Sequence, residues 1–250
     1  MNEKVYDFPT EVLDLPSEGK VYPLEHPLSS GQIRIKLMTA KEEDILSSSN
    51  LIKKGLAIDT LFESILVDGI KADDIVIGDK NAIILATRLL GYGPDYDLEF
   101  YSNKTGELIS TTIDLAKVQT KNIDFSVFKN KNEFEFTTPS GNKLTFKLLT
   151  HGDEKLIDKD IVALQKLNKD VSSDISTRLR YMIKSVDGKN ELSVINKYVN
   201  NMLAKDSRAF REYVKSISPD MNMKFKYVHD DGEVEEAPIT LGVGFFWPTT

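Results

Sequence analysis

Apolar and polar residues alternate over Ile33-Arg34-Ile35-Lys36-Leu37, the period of a half-buried β-strand. A turn at Gly31 precedes the run, and Thr39-x-x-Glu42 follows it as a capping box that predicts a helix entry. The same order returns from Gly141: Leu144, Phe146 and Leu148 alternate with polar neighbours, and Thr150-x-x-Asp153 follows with a shorter acid. Beyond the caps, apolar positions fall at helical spacing. Ile58, Leu61, Phe62, Ile65 and Leu66 form one stripe. Leu179, Met182, Ile183 and Val186 form a second, and Leu192, Ile195, Val199, Met202 and Leu203 a third. Asp68-Gly69 and Asp187-Gly188 are expected to end helices, because both residue types tolerate the left-handed conformation.

The two copies also close alike. A helix over 79–90 stops at Gly91-Tyr92-Gly93-Pro94-Asp95 and leads to a strand at 97–101; a helix over 206–217 stops at Ser218-Pro219-Asp220 and leads to a strand at 222–228. Turns at Asn103–Gly106 and Asp230–Gly232 then predict return strands at 107–112 and 233–239, so each copy ends in a hairpin. A long repeated unit of this kind predicts an α+β fold of two related lobes sharing one interface. Residues 1–30 carry prolines at 9, 16, 23 and 27 and read as an extended N-terminal arm, with Ser17-Glu18-Gly19 as a turn. Its Phe8, Leu13, Leu15 and Tyr22 predict that the arm packs on the body. The expected divisions are 1–30 for the arm, 31–120 for the first repeat and 121–250 for the second. The boundary falls in the polar stretch 118–132, where Phe125 and Phe128 predict packing.

Composition narrows the function classes. The chain has 250 residues, 40% hydrophobic and 28% charged, which places it among ordinary globular proteins. A net charge of −7 disfavours non-specific nucleic-acid binding, and clusters such as Lys53-Lys54 are too small to reverse it. No cysteine is present, so disulfides, thiolate nucleophiles and cysteine-containing zinc sites are excluded. No apolar run approaches the ~18–20 residues that span a bilayer. Neither a membrane partner nor a secretory leader is expected, and the cytosol is the default location.

Candidate chemistry is sparse. His26, His151 and His229 lie far apart without a short-spaced ligand pair, so no metal site is expected; His151 reads as a helix-entry residue and His229 as a hairpin-tip residue. The carboxylate runs Glu42–Asp44, Asp73-Asp74, Asp153-Glu154 and Asp230-Asp231 sit at helix starts and turns, where acids serve the local backbone. Gly78-Asp79-Lys80 lacks the second glycine of a phosphate loop, and Gly91-x-Gly93 follows a helix rather than a strand. No catalytic residue and no cofactor are expected. The C-terminal Phe245-Phe246-Trp247 admits two readings: a segment docked on its own body, or an aromatic anchor for a partner.

Several segments carry a family resemblance. Leu15-Pro-Ser-Glu-Gly-Lys-Val-Tyr-Pro23, Met38-Thr-Ala-Lys-Glu-Glu-Asp-Ile-Leu46, Leu51-Ile-Lys-Lys-Gly55, Ile77-Gly-Asp-Lys-Asn-Ala82 and Phe245-Phe-Trp-Pro248 together resemble baseplate hub assembly proteins of T-even-type contractile-tailed phages. The resemblance implies zinc-ribbon-like hairpins that have lost their metal, since 101–107 and 226–233 contain no cysteine. It implies a non-enzymatic role in building the tail baseplate hub, with phage hub proteins as partners. An assembly factor acting in the host cytoplasm is the first reading, and a subunit retained in the virion tail baseplate the second. A homo-oligomer is compatible with either, and a hydrolase or a nucleic-acid adaptor is more remote. Phe245, Phe246 and Trp247 with Tyr22 and Phe8 are the expected contact anchors, and Lys53 and Lys54 the polar rim.

Overall fold

The computed structural model describes residues 7–167 and 173–247. The fold is mixed α+β. Among the described residues nine strands form small antiparallel sheets: β1 (Thr10–Asp14) pairs β2 (Gln32–Lys36), and β3 (Asp95–Tyr101) pairs β4 (Leu108–Asp114). In the second half β5 (Phe134–Thr137), β6 (Lys143–Phe146) and β7 (Ile183–Val186) make a three-stranded sheet, and β8 (Lys224–Val228) pairs β9 (Val234–Pro238). The described residues contain eight α-helices. These are α1 (Ala40–Ser47), α2 (Ser49–Lys53), α3 (Ala57–Ile65), α4 (Ile77–Tyr92), α5 (His151–Leu167), α6 (Asp174–Met182), α7 (Leu192–Asn201) and α8 (Ala204–Ile217).

The two expected helix entries recur atom for atom. At α1 the Thr39 backbone N–H and hydroxyl both donate to Glu42 Oε2, at 2.9 and 2.7 Å. At α5 the Thr150 N–H and hydroxyl donate to Asp153 Oδ2, at 3.0 and 3.2 Å. The last residue of β2 and the residue after β6 then supply matching ammonium groups, Lys36 to Glu42 at 2.8 Å and Lys147 to Asp153 at 2.7 Å. The acid that completes each cap is thereby also tied to the preceding strand, which sets the angle between strand and helix.

A second correspondence reaches across longer distances. Asp79, in the first turn of α4 and fully buried, accepts from the Ser17 backbone N–H at 3.0 Å, the Ser17 hydroxyl at 2.7 Å and the Tyr22 hydroxyl at 2.7 Å. Asp206, in the first turn of α8 and also buried, accepts from the Ser140 N–H at 3.1 Å. Both serines follow a proline, and both acids sit where the helix dipole favours negative charge. Burial pushes the Asp79 carboxyl up, against the three donors that hold it charged.

The expected extended arm needs correction. Extended backbone forms a strand only at β1, which lies beside β2; beyond it the chain folds into hydrogen-bonded turns that close with Leu15 N–H on Gly31 O at 2.8 Å. Gly19, at φ +75°, completes the Ser17-Glu18-Gly19 turn, and a Cβ there would lie 2.4 Å from Ser29 O, so only glycine fits. Leu15, Val21, Tyr22 and Leu28 enter the core from this segment. Two helical stripes are also corrected. α6 ends at Met182, and Ile183 and Val186 belong to β7, whose partner is β6. Likewise α3 ends at Ile65, and Leu66 bridges Ile35 of β2. Asp68-Gly69 and Asp187-Gly188 therefore stand beyond short extended segments rather than at helix ends, with all four residues at positive φ. Strand and helix spacings coincide over so short a span, and pairing with a neighbouring strand decided between them.

One hydrophobic core runs through both halves, from Leu28, Ile33 and Phe62 to Phe146, Phe210 and Phe246. The halves are stitched by backbone. Val76 bridges Thr150, with Ile77 N–H on Leu149 O at 3.1 Å and His151 N–H on Ile75 O at 2.8 Å. Thr120 bridges Met221, flanked by Lys121 N–H on Asp220 O and Asn222 N–H on Gln119 O, both 2.8 Å. Phe125 and Phe128 pack as anticipated, the first beneath the Lys20 ammonium at 4.2 Å and the second against Phe134 at 5.0 Å.

Candidate partner-binding surface

The C-terminal segment docks on the body. Phe245 and Phe246 are buried, with Phe245 edge-on to Tyr96 at 5.1 Å. The dock is a single side chain, Arg88 of α4, which is fully buried. Its Nε donates to Phe245 O at 3.0 Å, Nη1 to Gly93 O at 2.8 Å and Nη2 to Asp95 O at 3.0 Å. Among the described residues it has no carboxylate partner, and burial lowers its pKa. The planar fork of the guanidinium is what lets one residue hold the tail, the end of α4 and the start of β3 together.

Of the seven residues read as contact anchors or rim, three are interior. Phe245, Phe246 and Tyr22 are buried, Tyr22 with its hydroxyl on Asp79 and its ring stacked on His26 at 5.0 Å. Trp247 remains 38% exposed, beside Tyr92 at 6.4 Å. Phe8 is half-buried near the Lys36 ammonium, and Lys53 and Lys54 are exposed at the end of α2. Beside those two lysines, Ile52 and Leu56 are also exposed, so the corner is amphipathic. Pro248 lies outside the described residues.

The two C-terminal hairpins pack face to face through Phe100, which meets Phe225 at 5.3 Å and Tyr227 at 5.5 Å. Their tips are joined by polar contacts that sequence reading missed, because the partners are far apart in the chain. Glu235 accepts from the Ser102 hydroxyl at 2.7 Å and the Asn103 N–H at 2.7 Å, and contacts His229 Nε2 at 2.9 Å. Lys104 pairs with Asp231, and with Glu233 at 2.7 Å. Within the first tip, Ser102 Oγ also accepts from the Lys104 and Thr105 N–H groups at 3.1 and 3.2 Å. The donors around Glu235, with Ser102 first, lower its pKa to about 2. An unfolded glutamate titrates near ~4.3, so this contact is fully present above that pH and is lost as pH falls toward the folded value. Hydrogen exchange checks the expectation. Protection of the Asn103 amide should fall over that window while the Phe100 amide in the ladder holds longer. In Glu235→Leu, which offers no acceptor, the Asn103 amide should exchange readily at every pH.

His151, buried edge-on to Phe62 at 5.2 Å, lies near Glu63 and Asp73, the one grouping of metal-type ligands among the described residues. Chemistry argues against a metal there. The Lys80 ammonium contacts Nδ1 at 2.9 Å, which makes Nδ1 the acceptor and leaves the proton on Nε2. The Lys155 ammonium already lies between the two carboxylates, 3.0 Å from Glu63 and 3.3 Å from Asp73. Burial first, and Lys80 second, lower the His151 pKa. The cluster is an ion network that ties α3 and α4 to α5 across the seam between the halves.

No helix among the described residues is long and apolar enough to cross a membrane. No curated protein and no solved structure matches the chain. The family described as T4 bacteriophage base plate protein matches residues 9–227, from the segment before β1 into β8. A match of that extent carries the β3–β4 hairpin, both capped helices and the seam between the halves, and the chain therefore belongs to the T4 bacteriophage base plate protein family.

Proposed function

We propose that this protein is an assembly factor for the baseplate hub, acting without covalent chemistry on hub proteins during tail construction in the host cytoplasm. The observation that carries the reading is the family match over 9–227, joined to a chain that buries its own aromatic tail. A factor that must be stable before and after meeting its clients needs a core complete without them, and Arg88 supplies that closure here. Holding two hub proteins within reach of each other lowers the entropic barrier to their association, with no bond made or broken. The second reading, a subunit retained in the particle, is favoured by the same family match.

The hairpins fit two degenerate knuckles in two related lobes. The matched Thr39 and Thr150 caps and the matched Asp79 and Asp206 contacts support duplication, and the Ser102 and Glu235 hydrogen bonds join two tips that carry no cysteine. Contact with hub proteins is assigned to Trp247, Phe8 and the Lys53-Lys54 corner, with Phe245, Phe246 and Tyr22 supporting that surface from inside. Trp247→Ala should leave the melting temperature nearly unchanged and reduce co-purification with hub precursors several-fold, the size of loss expected for an interface aromatic worth about 1–2 kcal/mol. Quantitative mass spectrometry of finished particles against infected-cell lysate tests the role itself. Abundance in lysate with absence from particles supports the assembly factor; a fixed whole-number ratio to tail proteins in particles establishes the subunit instead.

A further inference from the structure

We propose that this protein associates with itself through a charge-complementary contact, the acidic outer face of the β3–β4 hairpin of one copy against the basic outer face of α8 of another. Asp95, Asp97 and Glu99 alternate along β3 with the inward Tyr96, Leu98 and Phe100, so the three carboxylates share one exposed face. Asp114 of β4 stands directly opposite Asp95, a pairing of like charges that weakens the hairpin in isolation. Acidic residues suit strands poorly, and cross-strand hydrogen bonds from Ser110 to Glu99 at 3.0 Å and from Thr112 to Asp97 hold these two carboxylates on the outer face. On this face Lys117 pairs with Asp114, at 3.5 Å.

The complementary surface belongs to a chain whose overall charge is −7. Lys205, Arg208, Arg211 and Lys215 are all exposed on α8 and, at ~100° per residue, fall within an arc of about 120°. That arc lies opposite the buried Asp206, Phe210 and Ile217. Glu212 is the one acid among the four cations, and it pairs with Arg208 at 2.8 Å. Lys205, Arg211 and Lys215 make no ion pair among the described residues. Dimensions agree as well. Asp95 to Glu99 spans roughly 13 Å at ~3.3 Å per strand residue. Lys205 to Lys215 spans roughly 15 Å at ~1.5 Å per helix residue. Two different surfaces meeting in this way form a heterologous contact, which closes as a ring or, if each copy gives both surfaces to the same neighbour, as a two-fold dimer.

Sedimentation equilibrium of the full chain at about 50 mM and about 500 mM salt tests this, because the screening length falls from roughly 14 Å to roughly 4 Å between them. The expected result is a mass that is a multiple of 28.2 kDa at the lower salt and 28.2 kDa at the higher. Asp95→Lys with Glu99→Lys should give the single-chain mass at both. Lys205→Glu with Arg211→Glu should do the same. The four changes joined in one chain with Asp97→Lys and Lys215→Glu invert the sign of both surfaces and should restore assembly. A single-chain mass for the unchanged protein at low salt overturns the proposal, as does assembly that survives either reversal or high salt, or failure of the sixfold variant to reassemble. Thermal melts check folding, and should a reversal lower stability, the neutral Asp95→Asn with Glu99→Gln must still shift the equilibrium toward the single chain.

Discussion

Arg88→Met should destabilise the protein by about 3–5 kcal/mol and release its C-terminal segment. Methionine keeps the volume of the aliphatic stem but leaves Phe245 O, Gly93 O and Asp95 O without the donors that reach them at 2.8–3.0 Å. One term opposes the loss, since the guanidinium is buried without a carboxylate and its removal ends that desolvation cost. Hydrogen bonds to a charged group contribute about 1.5–3 kcal/mol each, and three of them outweigh the relief. Trp247 is the only tryptophan, so its emission reports the tail directly. A red shift together with a lowered melting temperature is expected. Arg88→Lys should recover little, because one ammonium cannot reproduce a three-way planar fork. Unchanged melting and emission in Arg88→Met would refute the assignment of Arg88 as the clamp.

Gly78→Ala should cost about 3 kcal/mol, although alanine is the better helix former. Residue 78 lies in the first turn of α4, where helix propensity alone predicts a gain of about 0.5–1 kcal/mol. The added Cβ would lie 1.7 Å from Pro219 O and 2.7 Å from Pro219 C, both backbone atoms of the other half. Backbone cannot rotate aside as a side chain can, so the seam between α4 and the 218–220 segment must open; overpacking costs of about 1–3 kcal/mol apply at their upper end. For a chain of this length that loss should lower the melting temperature by roughly 6–12 °C. Gly91→Ala, in the same helix, is the control. Its nearest neighbour would be Met38 Sδ at 3.7 Å, an ordinary contact, so this variant should melt slightly higher than the parent. Equal melting of the two variants would show that the seam does not depend on close approach at Gly78.

Features whose partners lie within a few residues were legible in the chain. The Thr39 and Thr150 caps, the two terminal hairpins and the turn at Gly19 all follow from side chains that satisfy nearby backbone groups or tolerate positive φ. The period that failed was the one with two solutions. Ile183 and Val186 fit a helix stripe as well as a strand face, and only the presence of β6 alongside made the strand the lower free-energy choice. The surface reading failed in part for a related reason. An aromatic residue near a chain end reads equally as anchor or core, and burial of Phe245 and Phe246 depends on an arginine 157 residues away.

What the sequence determined by itself is the repeated local grammar: where helices start, where hairpins turn, the absence of cysteine chemistry, and the segments that resemble base plate proteins. What only the tertiary structure decided is every contact between distant segments. Arg88 on the tail, Ser17 on Asp79, Ser102 on Glu235 and Gly78 against Pro219 join residues that no spacing rule relates. Local rules act through backbone groups that each residue carries with it, whereas these contacts exist only once the chain has brought their partners within a few ångströms.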